Sequence, residues 1–180
     1  DYAMRHYQAS ASGLAGVWSK DNTREALWDA MQRKEVYATT GTRMLVRVFA
    51  GWDFTADEVD RPDFAKQGYQ RGVPMGGDLF AAPMGTAPTF MIRTLRDVDG
   101  ANLDRLQIVK GWLDAKGETH EQVYDVAVSD GRTIDVDGRC KTPVGNTVDV
   151  PNATYKNSIG TPLLTGYWKD PHFNPQAYAF

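Results

Sequence analysis

Arg43–Met44–Leu45–Val46–Arg47–Val48–Phe49–Ala50 decides the fold. Side chains in an extended chain repeat every two residues. Met44, Val46, Val48 and Ala50 therefore fall on one face, and Arg43, Leu45, Arg47 and Phe49 on the other. A helix would scatter these groups around its axis, so the period specifies a strand.

Strand patterns recur on both sides of it. Val36–Tyr37–Ala38–Thr39 is a short β-type run ended by Thr40–Gly41. Further strands are expected over Thr89–Leu95, Leu106–Leu113, Gln122–Ser129 and Thr147–Val150. Turn-forming residues bound them: Asp99–Gly100, Asp114 through Gly117, Asp130–Gly131, Asp137–Gly138 and Gly145–Asn146. Strands joined by such turns, without intervening helices, predict a mainly β, antiparallel, sandwich-like region. One helix precedes it, over residues 23–34, with Asn22 and Glu25 at capping-pair spacing and Ala26, Leu27, Ala30 and Met31 along one stripe. Residues 1–18 read as an irregular lead-in and residues 53–88 as a long polar insertion, the kind of connection that is usually functional or packs as an ordered flap. The stretch 151–180 holds four prolines and few strand signals.

Composition narrows the function classes. The chain has 180 residues, 42% hydrophobic and 24% charged, too apolar for a disordered protein. It is long enough to bury roughly 70% of its unfolded surface without a staple. Lys and Arg number 20 against 23 Asp and Glu, and no cluster forms the basic face that nucleic-acid binding needs. No apolar run approaches the ~20 residues of a membrane-spanning helix. Cys140 stands alone, which excludes an internal disulfide and leaves the compartment undetermined.

Few residue patterns carry chemistry. His6, His120 and His172 lack a second histidine at ligand spacing and read as solvated side chains. Asp135–Val136–Asp137–Gly138, with Asp130, holds only part of a calcium loop and reads as a turn. Gly76–Gly77–Asp78 lacks the Lys–Ser/Thr ending of a phosphate loop, so its glycines serve backbone geometry. Cys140, between Arg139 and Lys141, has no base identifiable from sequence. These residues give no catalytic group, no metal ligand set and no cofactor site. Of Trp18, Trp28, Trp52, Trp112 and Trp168, four read as core; Trp52, beside Asp53 at a strand end, is placed to line a cleft.

Six phrases occurring in order resemble one bacterial family. They are Gly13–Val17–Trp18, Asn22 through Met31, Glu35–Gly41, Gly72–Leu79, Gly100–Trp112 and Pro143–Asp149. The sequence resembles the C-terminal part of the family called domain of unknown function 3604, which is similar to metal-dependent hydrolases of the polymerase-and-histidinol-phosphatase (PHP) type. The family more usually has proline in place of Thr42. The resemblance implies that residues 1–41 are the tail of an upstream α/β barrel and residues 42–180 a β-rich accessory domain. Divalent metal and its ligands would belong to that barrel, which becomes this chain's partner within one polypeptide. Arg24, Thr40, Gly41, Arg43 and Trp52 are then the substrate-proximal candidates, with Arg43 placed to neutralise an anionic group. Alternation alone also explains Arg43 and Arg47, as one solvated strand face, and Arg24 as an exposed helix residue. The expected function is a non-catalytic region bracing a hydrolase barrel of the ester or phosphoester class and walling its cleft. The alternative is a carbohydrate- or protein-binding β-sandwich module. If Arg43 borders a catalytic cleft, Arg43→Ala in the complete enzyme lowers turnover without lowering the melting temperature. An unchanged rate makes Arg43 surface charge.

Overall fold

The computed structural model describes residues 12–180. Most of the expected lead-in, with His6, lies outside the described residues. The elements run β1 (Leu14–Val17), α1 (Arg24–Gln32), β2 (Val36–Thr39), β3 (Leu45–Gly51), α2 (Phe64–Arg71), β4 (Gly72–Pro74), β5 (Thr89–Leu95), β6 (Arg105–Leu113), β7 (Thr119–Val128), β8 (Val148–Asp149), β9 (Thr154–Tyr155) and β10 (Leu163–Lys169). The protein is mainly β, and every strand pair is antiparallel.

The centre is a four-stranded sheet in the order β10-β5-β3-β4. Its two faces follow the period-two pattern. One face carries Phe49 and Met91, which pack with Phe54, Val59 and Phe64 of the 53–88 insertion and with Tyr167. The other carries Val46, Val48, Phe90, Ile92 and Leu164, which pack with Leu103, Leu106, Ile108, Val126 and Ala127 of the β6–β7 hairpin and its approach. Three layers result: insertion, sheet and hairpin. The insertion is therefore structural for much of its length. A 3₁₀ turn at Ala56–Asp60, begun by a Thr55–Glu58 capping box, and α2 together roof the sheet. Arg71 ion-pairs with the buried Glu58 carboxylate and holds this roof to the Asp53 loop.

The N-terminal elements attach through polar contacts. Trp18 donates from Nε1 to the Val46 carbonyl at 2.9 Å. Glu35, 2% exposed, accepts from the Tyr69 hydroxyl of α2, and that hydroxyl accepts from Arg47 Nη2 at 2.8 Å. Arg47 also lies over the Trp18 ring at 4.3 Å. Arg47 is thus wedged among aromatic rings, which corrects the expectation of one solvated Arg43–Arg47 face. Gly76, at φ +80°, passes so close to the Lys34 carbonyl that a β-carbon would collide with it.

Other expectations shift in detail. Helix α1 is capped by Thr23, whose hydroxyl accepts from the Ala26 amide, one residue later than the expected Asn22. Only Ala30 of its apolar stripe is fully buried; Trp28 is 59% and Met31 47% exposed. Asp135 and Asp137 both pair with Lys141, at 3.2 and 2.9 Å, so the partial calcium loop is closed by an ammonium group. Cys140 is buried and its amide donates to Asp125, a structural role.

Gly68 lets α2 lie flat on the sheet. A β-carbon there would fall on the Phe49 ring. Helix propensity alone makes Gly→Ala favourable by about 1 kcal/mol. Overpacking against a fully buried ring opposes it by about 1–3 kcal/mol. Gly68→Ala should therefore lower stability, by up to about 2 kcal/mol in urea unfolding. A stabilised variant would refute the close approach.

Candidate functional site

The β6–β7 hairpin is longer than the sheet it covers. Its inner residues Leu106 and Ile108, with Val126 at the irregularity of β7, sit on the core. Further out on the same face come Lys110 and Trp112, opposite Gln122 and His120. This half overhangs the sheet, and the C-terminal segment folds back beneath it. Gly111 and Phe180 exchange backbone hydrogen bonds at 2.7 and 2.8 Å, and the Leu113 amide donates to the Tyr178 carbonyl at 3.1 Å. Hairpin and returning segment line an open cleft of about 730 Å³. That volume lies within the range of small-ligand sites.

The floor is a polar network in which Lys110, Tyr124 and Asp170 are buried and His172 is exposed. Lys110 Nζ pairs with Asp170 Oδ2 at 2.5 Å and donates to the His172 carbonyl at 2.9 Å. Asp170 Oδ1 accepts from the His172 amide at 3.0 Å. The Tyr124 hydroxyl meets His172 Nδ1 at 2.9 Å. Burial, and then the neighbouring Asp170 charge, push the Tyr124 hydroxyl above its ordinary range, so it stays protonated at neutral pH. A neutral tyrosine hydroxyl both donates and accepts, so either partner can supply the proton of this bond. Around this floor stand Trp112, Tyr178, Gln122, Asn174 and Gln176. The arrangement offers aromatic surface and amide groups that both donate and accept, and among the described residues that line it there is no serine, threonine or cysteine.

One grouping of potential metal ligands exists among the described residues: Asp114, Glu118 and His120, at the cleft rim. Sequence spacing did not reveal it, because the β6–β7 turn brings the three together. Asp114 Oδ1 already accepts from the amides of Lys116 and Glu118, and Oδ2 faces His120 Nε2 at 3.1 Å. The His120 contact, then the Glu118 amide, hold the Asp114 carboxyl below its usual range. His120 in turn stacks on Trp112 with centroids 5.3 Å apart. The turn's own hydrogen bonds engage Asp114 and His120, while the exposed Glu118 carboxylate lies outside them.

None of the five sequence-based candidates lines the cleft, although Trp52 packs on Phe173, between the lining residues His172 and Asn174. Arg24 is exposed on the first turn of α1. Thr40, Gly41 and Arg43 are exposed on the β2–β3 connection, where the Arg43 amide donates to Asp97 at 2.6 Å. Trp52 follows β3 at its other end, donates from Nε1 to the Phe80 carbonyl at 3.1 Å and packs edge-on against Phe173. Arg43 and Trp52 flank opposite ends of β3, whose seven residues at about 3.3 Å each span about 23 Å. The tryptophans are less buried than expected: Trp18, Trp52, Trp112 and Trp168 are each half-buried. Trp112 keeps its predicted phase with Ile108, but that face has by then left the core and become the cleft wall.

Lys110 was the available sequence signal: a lysine between Ile108 and Trp112, at a position whose period calls for an apolar residue. Its partner Asp170 lies 60 residues later, and nothing in the sequence links the two. Removing one member of a buried pair leaves an uncompensated charge, at a cost of about 3–5 kcal/mol. Lys110→Ala should destabilise by about that amount in denaturant melts, and Lys110→Met with Asp170→Leu should recover most of it. A Lys110→Ala loss below about 1 kcal/mol would mean that the pair is solvated.

The chain belongs to the family described as protein of unknown function (DUF3604), whose sequence profile matches residues 1–180. No curated protein and no solved structure matches it.

Proposed function

We propose that this chain is a non-catalytic, β-rich recognition region of a larger hydrolytic polypeptide, and that its cleft binds a carbohydrate. The single observation that carries recognition is the cleft itself. Sugars present faces of C–H groups that pack on aromatic rings and a rim of hydroxyls that donate and accept. Trp112 and Tyr178 supply ring surface, and Gln122, Asn174 and Gln176 supply paired donors and acceptors. The Lys110–Asp170 pair fixes the floor on which these groups stand.

The hydrolytic part of the proposal rests on the resemblance to PHP-type enzymes. In it, a metal-bearing barrel of the same polypeptide attacks an ester or phosphoester, and this region braces that barrel and presents the substrate. Helix α1 suits the bracing role because it leaves Trp28 and Met31 exposed on one helix. The candidates Arg24, Thr40, Gly41 and Arg43 lie on α1 and the β2–β3 connection, away from the cleft. In this proposal they face the barrel, while the cleft holds a remote part of the same substrate.

The test is titration of this chain with a panel of neutral and uronate oligosaccharides, read by tryptophan fluorescence and calorimetry. Binding should weaken about tenfold or more in Trp112→Ala, matching the about 1–2 kcal/mol that a stacked ring supplies. Trp28→Ala should bind like the wild type. The chain alone should not hydrolyse generic phosphoesters with manganese or zinc. No binding across the panel, or turnover abolished by a chelator, would contradict the proposal.

A further inference from the structure

A second concave site lies on the opposite face of the sheet, and it shares no residue with the cleft. It is a pocket of about 270 Å³ lined by Arg47 and Arg93, by Leu45, Leu95 and Leu163, and by Trp18 and Phe64 among others. Arg47 and Arg93 are directly opposed partners in the β3–β5 ladder. Like charges directly opposite each other destabilise a strand pair, so the juxtaposition requires compensation.

The compensation seen is incomplete. Arg93 donates from Nε to the Val59 carbonyl and from Nη2 to the Arg61 carbonyl at 2.7 Å, and it lies 4.3 Å over the Phe64 ring. Arg47 donates to the Tyr69 hydroxyl and lies over the Trp18 ring, and among the described residues its buried Nε has no acceptor. Glu35 reaches Arg47 only through that hydroxyl. Among the described residues neither guanidinium forms an ion pair with a carboxylate, although both are half-buried. Two half-buried cations lining one cavity create a positive potential that a single anion would relieve.

The next step along the strands is apolar. Leu163 pairs with Leu95, and Leu95 with Leu45, giving a row of three leucines across β10, β5 and β3. They are 50%, 42% and 44% exposed. They stand two residues from the arginine positions, on the same face, about 7 Å away at strand spacing.

We propose that this pocket binds a small organic carboxylate with an apolar tail. The carboxylate lies between Arg47 and Arg93, and the alkyl or aryl body covers the leucine row. A planar carboxylate matches the fork of a guanidinium, and the small volume suits an acid of about ten heavy atoms rather than a polymer. The site is independent of the cleft, so its failure and that of the carbohydrate reading are separate outcomes.

The probe is 4-phenylbutyrate, compared with its uncharged amide on the full wild-type chain by calorimetry or ligand-observed NMR. The carboxylate should bind at least about tenfold more tightly than the amide, with the difference shrinking as salt rises. Arg93→Gln should remove that preference, and Leu163→Ser should weaken both ligands together. Neither variant should alter oligosaccharide binding. Equal binding of acid and amide by the wild type would overturn the proposal, as would no binding up to about 10 mM, a strength below about 3 kcal/mol. The acid–amide comparison needs no variant, so misfolding cannot obscure it.

Discussion

Met91 and Ile92 are neighbours in the chain, point to opposite faces of β5, and are both shut off from solvent, at 0% and 3% exposure. That is the constraint on which the structure depends. An antiparallel sheet in a small protein ordinarily wets one face. Here both faces of the central strands are apolar, so each needs a cover. The 53–88 insertion supplies one and the β6–β7 hairpin the other. Neither is an ornament on a self-sufficient sheet, because removing either would expose a row of large side chains to water.

Charge is used to fasten the covers at their edges. Arg71 and Glu58 lock the insertion, and the Glu35–Tyr69–Arg47 chain ties α1 and β2 to it. On the far side, the Asp125 carboxylate is enclosed. Burial opposes its charge, but the Cys140 amide, Gln107, Arg139 and Arg105 outweigh burial and keep it below the usual carboxylate range. A depressed carboxylate stabilises the fold above its unfolded pKa of about 3.9 and loses that contribution as acid takes the pH down through the folded value. The Lys110–Asp170 pair does for the C-terminal segment what Asp125 does for the loop at Cys140.

Wherever alternation was strong the sequence was legible. Thr89–Leu95 and Val36–Thr39 are strands with the expected limits, and the two faces of β3 are as the period assigns them. Legibility failed where a local rule was broken for a packing reason. β10 contains Gly166, placed where Val126 crosses too closely for a β-carbon, and the glycine hid the strand. α2 contains Gly68 for the same kind of reason, against Phe49. β4 ends in Pro74, which a sheet tolerates because β4 is an edge strand. The cleft was illegible for a different reason. Its floor joins Lys110 to Asp170 and Tyr124 to His172, across 60 and 48 residues, and no local pattern records such a return.

The geometry thus separates three surfaces: a polar aromatic cleft at one end, an arginine-and-leucine pocket on the opposite sheet face, and α1 with two exposed apolar side chains. The account assigns recognition to the first, and the most direct measurement is hydrogen exchange with and without a bound oligosaccharide. It predicts added protection confined to residues 110–114, 122–124 and 172–179, with none at 24–43. Protection centred on the β2–β3 connection would contradict it, and would return the binding role to the residues first singled out there in the sequence.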